Sequence, residues 1–240
     1  MKIIIPIVKS NNIMNDSQYT RSLYEIQRKT ILQYVYESLN RIKNAEFIVV
    51  INQEDVTKYH MDDMVKLLIP NVKVIVAVGA TSGSACSCLL AIDEIDDDEP
   101  LIIAGGDQIV LDNPQLAVNY FNEMHYDGGV ITFDDIHPRW SYVKVNNEEL
   151  VIESAEKRPI SRNATTGFYY FKRGIDFIEA TQKMILKNAS VNGNYYVCPC
   201  FNEMILEYKK IGIYRIEKQR YFNLNNSKGI SEYEDFLMRS

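Results

Sequence analysis

One aspartate in the sequence follows an apolar run and two glycines, which is a common setting for a carboxylate that faces a ligand. Residues 101–104 are Leu-Ile-Ile-Ala, and Gly105, Gly106 and Asp107 come directly after them. Glycines let a bound group approach the backbone closely, and a single carboxylate is enough to dock Mg²⁺ that also binds phosphate oxygens and water. Aspartate is also a good helix N-cap. The local pattern is equally compatible with Asp107 as a metal ligand and with Asp107 as a helix cap.

A second candidate is a stretch of small residues, Thr81-Ser82-Gly83-Ser84-Ala85, at the start of a predicted helix. Backbone N–H groups exposed at such a helix start suit a phosphate or the edge of a base. The alternative is close packing of the helix on a sheet, with an ordinary cap. By itself this stretch is a weak signal.

A third candidate is the loop His137-Pro138-Arg139-Trp140, which contains the only tryptophan of the chain. Arginine binds phosphate through two N–H groups, and an indole ring can stack on a sugar, so this loop could hold either group. The alternative is a surface loop that folds Trp140 onto neighbouring strands. The adjacent Tyr195 and Tyr196 could likewise bind sugar hydroxyls or serve only in packing.

The elements that must position these residues alternate between strand and helix in the first half of the chain. Apolar, β-branched runs predict buried strands at 2–7, 47–51, 72–76 and 101–104. Apolar residues at helical spacing predict helices at 31–42, 55–68 and 84–95. This alternation predicts a parallel sheet with helices on both faces. Ligands bind beyond the carboxyl ends of such strands, so the segments 8–20, 81–85 and 105–108 are expected to converge.

The second half of the chain has shorter strands and predicts an antiparallel extension. Strands are expected at 129–133, 142–145, 150–153, 166–171 and 212–216, and helices at 175–186, 196–208 and 233–238. No linker rich in Gly, Pro or Ser separates the halves, so residues 1–240 are interpreted as one α/β domain with halves at 1–126 and 127–240.

Composition excludes several classes of protein. The 240 residues carry a net charge of −6, which is the wrong sign for a non-specific nucleic-acid binder. No apolar run approaches the ~20 residues of a membrane span, and the start of the chain lacks the features of a signal peptide, so we expect a cytoplasmic protein. The cysteine pairs Cys86/Cys88 and Cys198/Cys200 are expected to be free thiols, since a spacing of one residue disfavours a zinc site.

Eight segments in the same order and at compatible spacing carry a resemblance to a known family. They are residues 3–6, 19–20, 82–85, 106–108, 127–129, 156–161, 163–167 and 192–204. Together they resemble the sugar-phosphate nucleotidyltransferases, most closely a branch found in capsule and lipopolysaccharide gene clusters and often labelled glycosyltransferase family 2-like. The resemblance covers nearly the whole chain and implies a Rossmann-like fold of the nucleotide-diphospho-sugar transferase type.

The resemblance also implies roles for particular residues. It makes Asp107 a ligand of Mg²⁺ and places Asn223 at a second metal position. Lys9 and Arg21 could replace part of the positive charge that the family's first loop supplies, but not its backbone path. Nucleotide binding is implied for Ser82, Gly83, Ser84, Ala85 and Gly106. Sugar-phosphate binding is implied for Gly129, Glu156, Lys157, Thr166 and Asn194. The implied partners are a nucleotide or nucleotide sugar and a sugar phosphate, with in-line attack of the sugar phosphate on an α-phosphate.

The sequence departs from the family pattern in its first loop. Lys9 and Asn11 stand where the family has glycines, Ile13 stands where it has arginine, and Asn223 replaces the second metal-binding aspartate. We therefore expect weak binding of a triphosphate. Two alternatives stay open, a glycosyltransferase that uses a nucleotide sugar and a non-catalytic homologue that binds sugars or nucleotides. The nucleobase, the sugar and the oligomeric state are also open.

Overall fold

The computed structural model describes residues 1–8 and 20–239. The strands are β1 (Lys2–Ile7), β2 (Glu25–Ile26), β3 (Lys29–Thr30), β4 (Glu46–Asn52), β5 (Lys73–Ala77), β6 (Leu101–Ala104), β7 (Gln108–Val110), β8 (Gly128–Asp134), β9 (Ser141–Val145), β10 (Val151–Glu156), β11 (Asn163–Phe171), β12 (Ile211–Arg215) and β13 (Tyr221–Asn223). The α-helices are α1 (Ile31–Leu39), α2 (Gln53–Tyr59), α3 (Met61–Leu68), α4 (Ser84–Leu89), α5 (Pro114–Glu123), α6 (Gly174–Leu186), α7 (Cys200–Leu206) and α8 (Ser227–Arg239).

Four parallel strands in the order β6-β1-β4-β5 form the centre of the sheet. In β1, Ile3 and Ile5 pack into one apolar core, whereas Ile4 packs into a second core on the opposite face. All three side chains are fully buried, because helices cover both faces of the sheet: α1, α3, α5 and α8 on one, α4, α6 and α7 on the other. The predicted parallel sheet with helices on both faces is confirmed.

The antiparallel extension begins at β11, which pairs with β6 in the opposite direction. The other edge of β11 carries β8, and β8 pairs in parallel with β12. Near its start β11 also meets β9, which pairs with β10. A register shift between Thr165 and Tyr169 marks the point where β11 passes from β9 to β6. One sheet therefore joins strands from both halves of the chain, and the predicted extension is confirmed.

Several helices differ from their predicted bounds. The predicted helix at 55–68 is two helices, because His60 has a left-handed backbone with φ of 50°. The predicted helix at 84–95 ends at Leu89 and is followed by a separate 3₁₀ turn, Ile92–Glu94. Helix α5 was not predicted, although Asn113 caps it and Pro114 occupies its first turn, a typical start signal. None of the helices in the described ranges is long and apolar enough to cross a membrane.

Candidate functional site

The carboxyl ends of β1, β4, β5 and β6 open into a cleft of about 940 Å³. A volume of this size suits a ligand larger than a simple metabolite. Residues from the segments 81–85 and 105–108 line it together, so the predicted convergence of these two segments is confirmed. The third predicted segment, 8–20, is described only at its two ends, where Val8 lines the cleft.

The cleft brings together nine of the predicted site residues. They are Arg21, Gly83, Ser84, Gly106, Asp107, Glu156, Lys157, Asn194 and Asn223. Lys9, Asn11 and Ile13 lie outside the described residues. The predicted weak binding of a triphosphate depends on these residues, so it stays a prediction.

Four other predicted site residues support the cleft and do not line it. Gly129 packs against Phe121, whose ring atoms would lie 2.6 Å from a Cβ at this position. The Ala85 side chain belongs to the apolar core, and Thr166 is buried with its hydroxyl donating to the Ile131 carbonyl. Ser82 contributes its carbonyl, which accepts a hydrogen bond from the backbone of Tyr195. The binding roles that the resemblance implied for these four residues stay predictions.

The backbone around Gly83 is fixed against the backbone of Tyr195. The Tyr195 N–H donates to the Ser82 carbonyl at 2.7 Å, and the Ala85 N–H donates to the Tyr195 carbonyl at 3.0 Å. Gly83 lies between these bonds with φ of +102°, and a Cβ there would be 2.4 Å from the Tyr195 oxygen. Glycine is therefore required for packing as well as for conformation, and the contact leaves Ser84 facing the cleft.

Asp107 and Asn223 are held together by a ribbon of two short strands, β7 and β13. Asn223 pairs with Gln108 in this ribbon, and the Leu224 N–H donates to the Asp107 carbonyl at 2.7 Å. The Asn223 side-chain oxygen accepts from the Asn225 N–H at 3.0 Å. Both residues predicted as metal ligands therefore lie at the same end of the cleft.

The side chains at this end of the cleft fit a Mg²⁺ ion that has one protein carboxylate and otherwise phosphate and water ligands. Asp107 offers a carboxylate, whereas Asn223 offers a neutral oxygen that already has one hydrogen-bond donor. Within residues 1–8 and 20–239 no group of three or more His, Cys, Asp or Glu side chains could hold a metal. Mg²⁺ commonly binds through one or two carboxylates, with phosphates and water as its other ligands. Asp107 is the residue that would hold it.

A change of backbone direction puts both Glu156 and Lys157 in the cleft. In a continuous strand the two side chains would point to opposite faces, but Lys157 has φ of 54° and its N–H donates to the Trp140 carbonyl at 3.0 Å. The Ser141 hydroxyl donates to the Glu156 carboxylate. The predicted turn is confirmed, although it occurs at Lys157 itself, two residues before Pro159.

The Lys157 ammonium is oriented by Tyr196. Its Nζ lies 3.0 Å from the Tyr196 hydroxyl and 5.0 Å from the centre of the Tyr196 ring. The hydrogen bond to Tyr196 is the main reason why the pKa of Lys157 is raised above its usual value. Lys157 therefore keeps a positive charge at neutral pH, which suits a phosphate group.

Trp140 lies at the base of a structural unit that we call the Trp140 platform, formed by Phe133, Asp135, Trp140 and Tyr221. The Trp140 ring makes edge contacts with Phe133 and Tyr221, and its N–H donates to Asp135 at 3.1 Å. Trp140 is buried, as in the interpretation that folds it onto neighbouring strands. Arg139, by contrast, reaches the cleft.

Asp135 carries the charge that holds the Trp140 platform together. Burial would raise its pKa, but hydrogen bonds from Lys218, from the backbone of His137 and Ile136, and from Trp140 outweigh burial and lower the pKa to about 2. An unfolded aspartate titrates near ~3.9. The stabilisation from Asp135 is therefore complete above that pH and is lost as the pH falls towards 2.

The substitution Asp135→Asn tests this stabilisation. Because the variant keeps the shape but loses the charge that pairs with Lys218, its free energy of unfolding is expected to fall by about 1–2 kcal/mol at pH 7. The difference from wild type should shrink between pH 4 and pH 2, where Asp135 itself becomes protonated. Urea unfolding of both proteins across this range measures the effect, and a difference independent of pH would contradict it.

The four cysteines are free and do not form part of the cleft lining. Burial raises the pKa of all four thiols.

Sequence patterns gave no signal for several polar residues of the cleft, among them Ser141, Asn225 and Tyr169. Ser141 and Tyr169 occupy ordinary strand positions, so their sequence neighbours do not distinguish them from core residues. Tyr169 is buried, and its hydroxyl lies 3.0 Å from that of Thr165. Only the pairing of the strands shows that these side chains face a common space.

Comparisons with known proteins agree with this geometry. A family model described as nucleotidyl transferase matches residues 16–196. The structure is similar to that of a nucleoside-diphosphate-sugar pyrophosphorylase from Vibrio cholerae RC9, with a TM-score of 0.81 and 22% identity over 99% of this chain and 100% of the other. It is also similar to a Bacillus anthracis protein assigned as a glucose-1-phosphate thymidylyltransferase and bound to sucrose, with a TM-score of 0.77 and 18% identity over 100% and 95% of the two chains. No curated protein matches the chain.

Proposed function

The chain belongs to the nucleotidyl transferase family, and we propose that it transfers a nucleotidyl group from a nucleoside triphosphate to a sugar phosphate. The observation that carries this proposal is the shared cleft, in which Asp107 from the end of β6 meets Glu156 and Lys157 from the end of β10. Asp107 would bind a metal ion that neutralises the phosphates of the nucleotide. On the other side, Lys157 beside Glu156 suits the phosphate and the hydroxyls of a sugar phosphate. The names of the two similar structures support a sugar phosphate as the acceptor.

In the proposed reaction a phosphate oxygen of the sugar phosphate attacks the α-phosphorus of the triphosphate. The bond between the α-phosphorus and the bridging oxygen breaks, and pyrophosphate leaves with that oxygen. Mg²⁺ held by Asp107 would neutralise phosphate charge. Such transfers depend mainly on positioning and on electrostatic stabilisation.

The residues of the cleft divide these tasks between them. Lys157, oriented by Tyr196, would bind the phosphate of the acceptor as a point charge. Glu156, which already accepts from Ser141, would accept hydrogen bonds from sugar hydroxyls. The segment at Gly83 and Ser84 would face the nucleobase, as the family resemblance implies. Its backbone is fixed by Tyr195, and both residues line the cleft. Arg21 would offset charge on the triphosphate.

We further propose that the product serves the synthesis of a surface polysaccharide in the cytoplasm. The resemblance to the branch found in capsule and lipopolysaccharide gene clusters supports this assignment. Transfer of sugars from activated donors to a growing polysaccharide requires nucleotide sugars, which is what the proposed reaction forms.

Turnover assays with defined substrates test the proposed function. The protein would be incubated with each common nucleoside triphosphate, a hexose 1-phosphate and Mg²⁺, and pyrophosphate and nucleotide sugar would be measured together. Equal amounts of both products are expected for at least one pair. Sugar transfer from a nucleotide sugar without release of pyrophosphate would instead identify a glycosyltransferase, and ligand binding without turnover would identify a non-catalytic homologue.

The substitution Lys157→Ala tests the acceptor side of the cleft. The affinity for the sugar phosphate is expected to fall at least ~10-fold, equivalent to about 1.4 kcal/mol, because a cation that faces the phosphate is lost. The melting temperature should be nearly unchanged, since Lys157 is exposed. Lys144→Ala is the matched control, because Lys144 is exposed on β9 and does not line the cleft. If the affinity of the Lys157 variant for the sugar phosphate is unchanged, Lys157 does not bind the acceptor and its contact with Tyr196 is only structural.

A further inference from the structure

We propose that Arg139 binds a phosphate group of the substrate, with its guanidinium held over the face of Trp140. This inference rests on the proposed function, because it assumes that phosphorylated ligands enter the cleft. It concerns a residue outside the motifs that carry the family resemblance. Three observations support it: the support under Arg139, its place in the cleft and the lack of a carboxylate partner.

The support under Arg139 is rigid. The guanidinium carbon of Arg139 lies 4.1 Å from the centre of the Trp140 ring, which is a close cation–π contact. The Trp140 ring cannot turn away, because its N–H bonds to Asp135 and because Phe133 and Tyr221 pack on it. A guanidinium held at this distance keeps N–H donors with which arginine can bind phosphate through two parallel hydrogen bonds.

Arg139 lies in the same part of the cleft as Asp107. Both line the cleft, and β13 connects them: Tyr221 at its start contacts the Trp140 ring under Arg139, and the Leu224 N–H just after it donates to the Asp107 carbonyl. A phosphate bound near Asp107 would therefore lie close to Arg139.

Arg139 forms no ion pair with a carboxylate of the described residues, in contrast to several other arginines. Five other arginines form ion pairs with carboxylates: Arg158, Arg162, Arg173, Arg215 and Arg220. The acidic group nearest in sequence, Asp135, is already bonded to Lys218 and Trp140. The guanidinium of Arg139 also donates no hydrogen bond to a described residue. A fixed cation of this kind, facing a cleft for phosphorylated ligands, is best explained by an anion supplied by the ligand.

The phosphate could come from either substrate, so the experiment uses one probe for each. Wild-type protein and the variants Arg139→Gln and Arg139→Lys would be titrated by calorimetry with inorganic pyrophosphate and with glucose 1-phosphate, each with Mg²⁺. Arg139→Gln is expected to weaken binding of at least one probe about 10- to 100-fold. Arg139→Lys should recover only part of this loss, because an ammonium lacks the planar fork of donors. A loss confined to pyrophosphate assigns Arg139 to the nucleotide, and a loss confined to glucose 1-phosphate assigns it to the acceptor.

The control is Arg215→Gln, which removes the same charge from an exposed arginine on β12, outside the cleft lining. Its affinities should equal those of wild type. Equal affinities for both probes in wild type and Arg139→Gln, or wild-type protein that binds neither probe, would overturn the proposal. Because binding is measured without turnover, the two proposals fail separately. Normal transfer kinetics in Arg139→Gln would refute the role of Arg139 alone, whereas a loss of probe affinity in a protein without transfer activity would refute only the proposed function.

Discussion

Replacement of Asp107 by asparagine is expected to lower Mg²⁺-dependent nucleotidyl transfer about a thousandfold or more. The variant keeps the size of the side chain and the Asp107 carbonyl that accepts from Leu224, so the ribbon of β7 and β13 should persist. What it loses is the carboxylate that would hold the metal. Removing a single group that stabilises transition-state charge costs roughly a hundredfold to a thousandfold, and here a metal ion would be lost with it. Pyrophosphate release measures the effect.

Two comparisons separate this loss of charge from a loss of folding. The melting temperature without ligand should differ little between the variant and wild type, whereas stabilisation by nucleotide with Mg²⁺ should disappear. A ligand at about 100 times its dissociation constant adds about 2.7 kcal/mol, a shift that is easy to detect. Asp63→Asn, at an exposed position of α3, should retain full activity. Equal activity of the Asp107 variant and wild type would remove Asp107 from the proposed mechanism.

The substitution Gly83→Ala is expected to destabilise the protein by about 2–4 kcal/mol. Its Cβ would lie 2.4 Å from the backbone oxygen of Tyr195, which cannot move aside as a flexible side chain can. The positive φ of +102° adds strain, and overpacking and strain each cost about 1–3 kcal/mol. For a chain of this length, the melting temperature should fall by roughly 5–15 °C. Affinity for nucleotide should fall as well, because the same contact positions Ser84 in the cleft.

Gly79 provides a matched control for this substitution. It also lines the cleft and has a positive φ of +89°, but nothing lies within 4 Å of the position of its Cβ. Gly79→Ala therefore carries the strain without the collision, and about 1 kcal/mol of destabilisation is expected. Thermal unfolding of both variants isolates the contribution of the Tyr195 contact. Equal destabilisation in the two variants would show that this contact relaxes at no cost.

Local patterns in the sequence were sufficient for the parallel sheet and for the position of Asp107. The strands β1, β4 and β6 are buried on both faces, so each reads as an unbroken apolar run. Once such strands are parallel, the residues at their carboxyl ends must meet. This reasoning placed Gly83, Ser84, Gly106 and Asp107 in one cleft, where the structure has them.

The residues that could not be predicted depend on strand register and on elements without a clear pattern. Gly129 faces Phe121 of α5, a helix that the sequence analysis did not predict, so nothing in the sequence showed that this glycine is needed for packing. Lys157 reaches the cleft through its own left-handed backbone, a conformation that is uncommon for lysine. Contacts between segments distant in the chain, such as Gly83 with Tyr195, have no local signal at all.

The Trp140 platform gives the protein an internal optical reporter. Trp140 is the only tryptophan of the chain, so light that excites indole selectively is absorbed at one known place. One face of the platform meets a guanidinium that lines the cleft, and the rest is packed against Phe133 and Tyr221 in the interior. Its emission should therefore change both when the chain unfolds and when an anion binds to the Arg139 guanidinium over the ring. Ligand binding and folding can thus be followed in the same unlabelled sample.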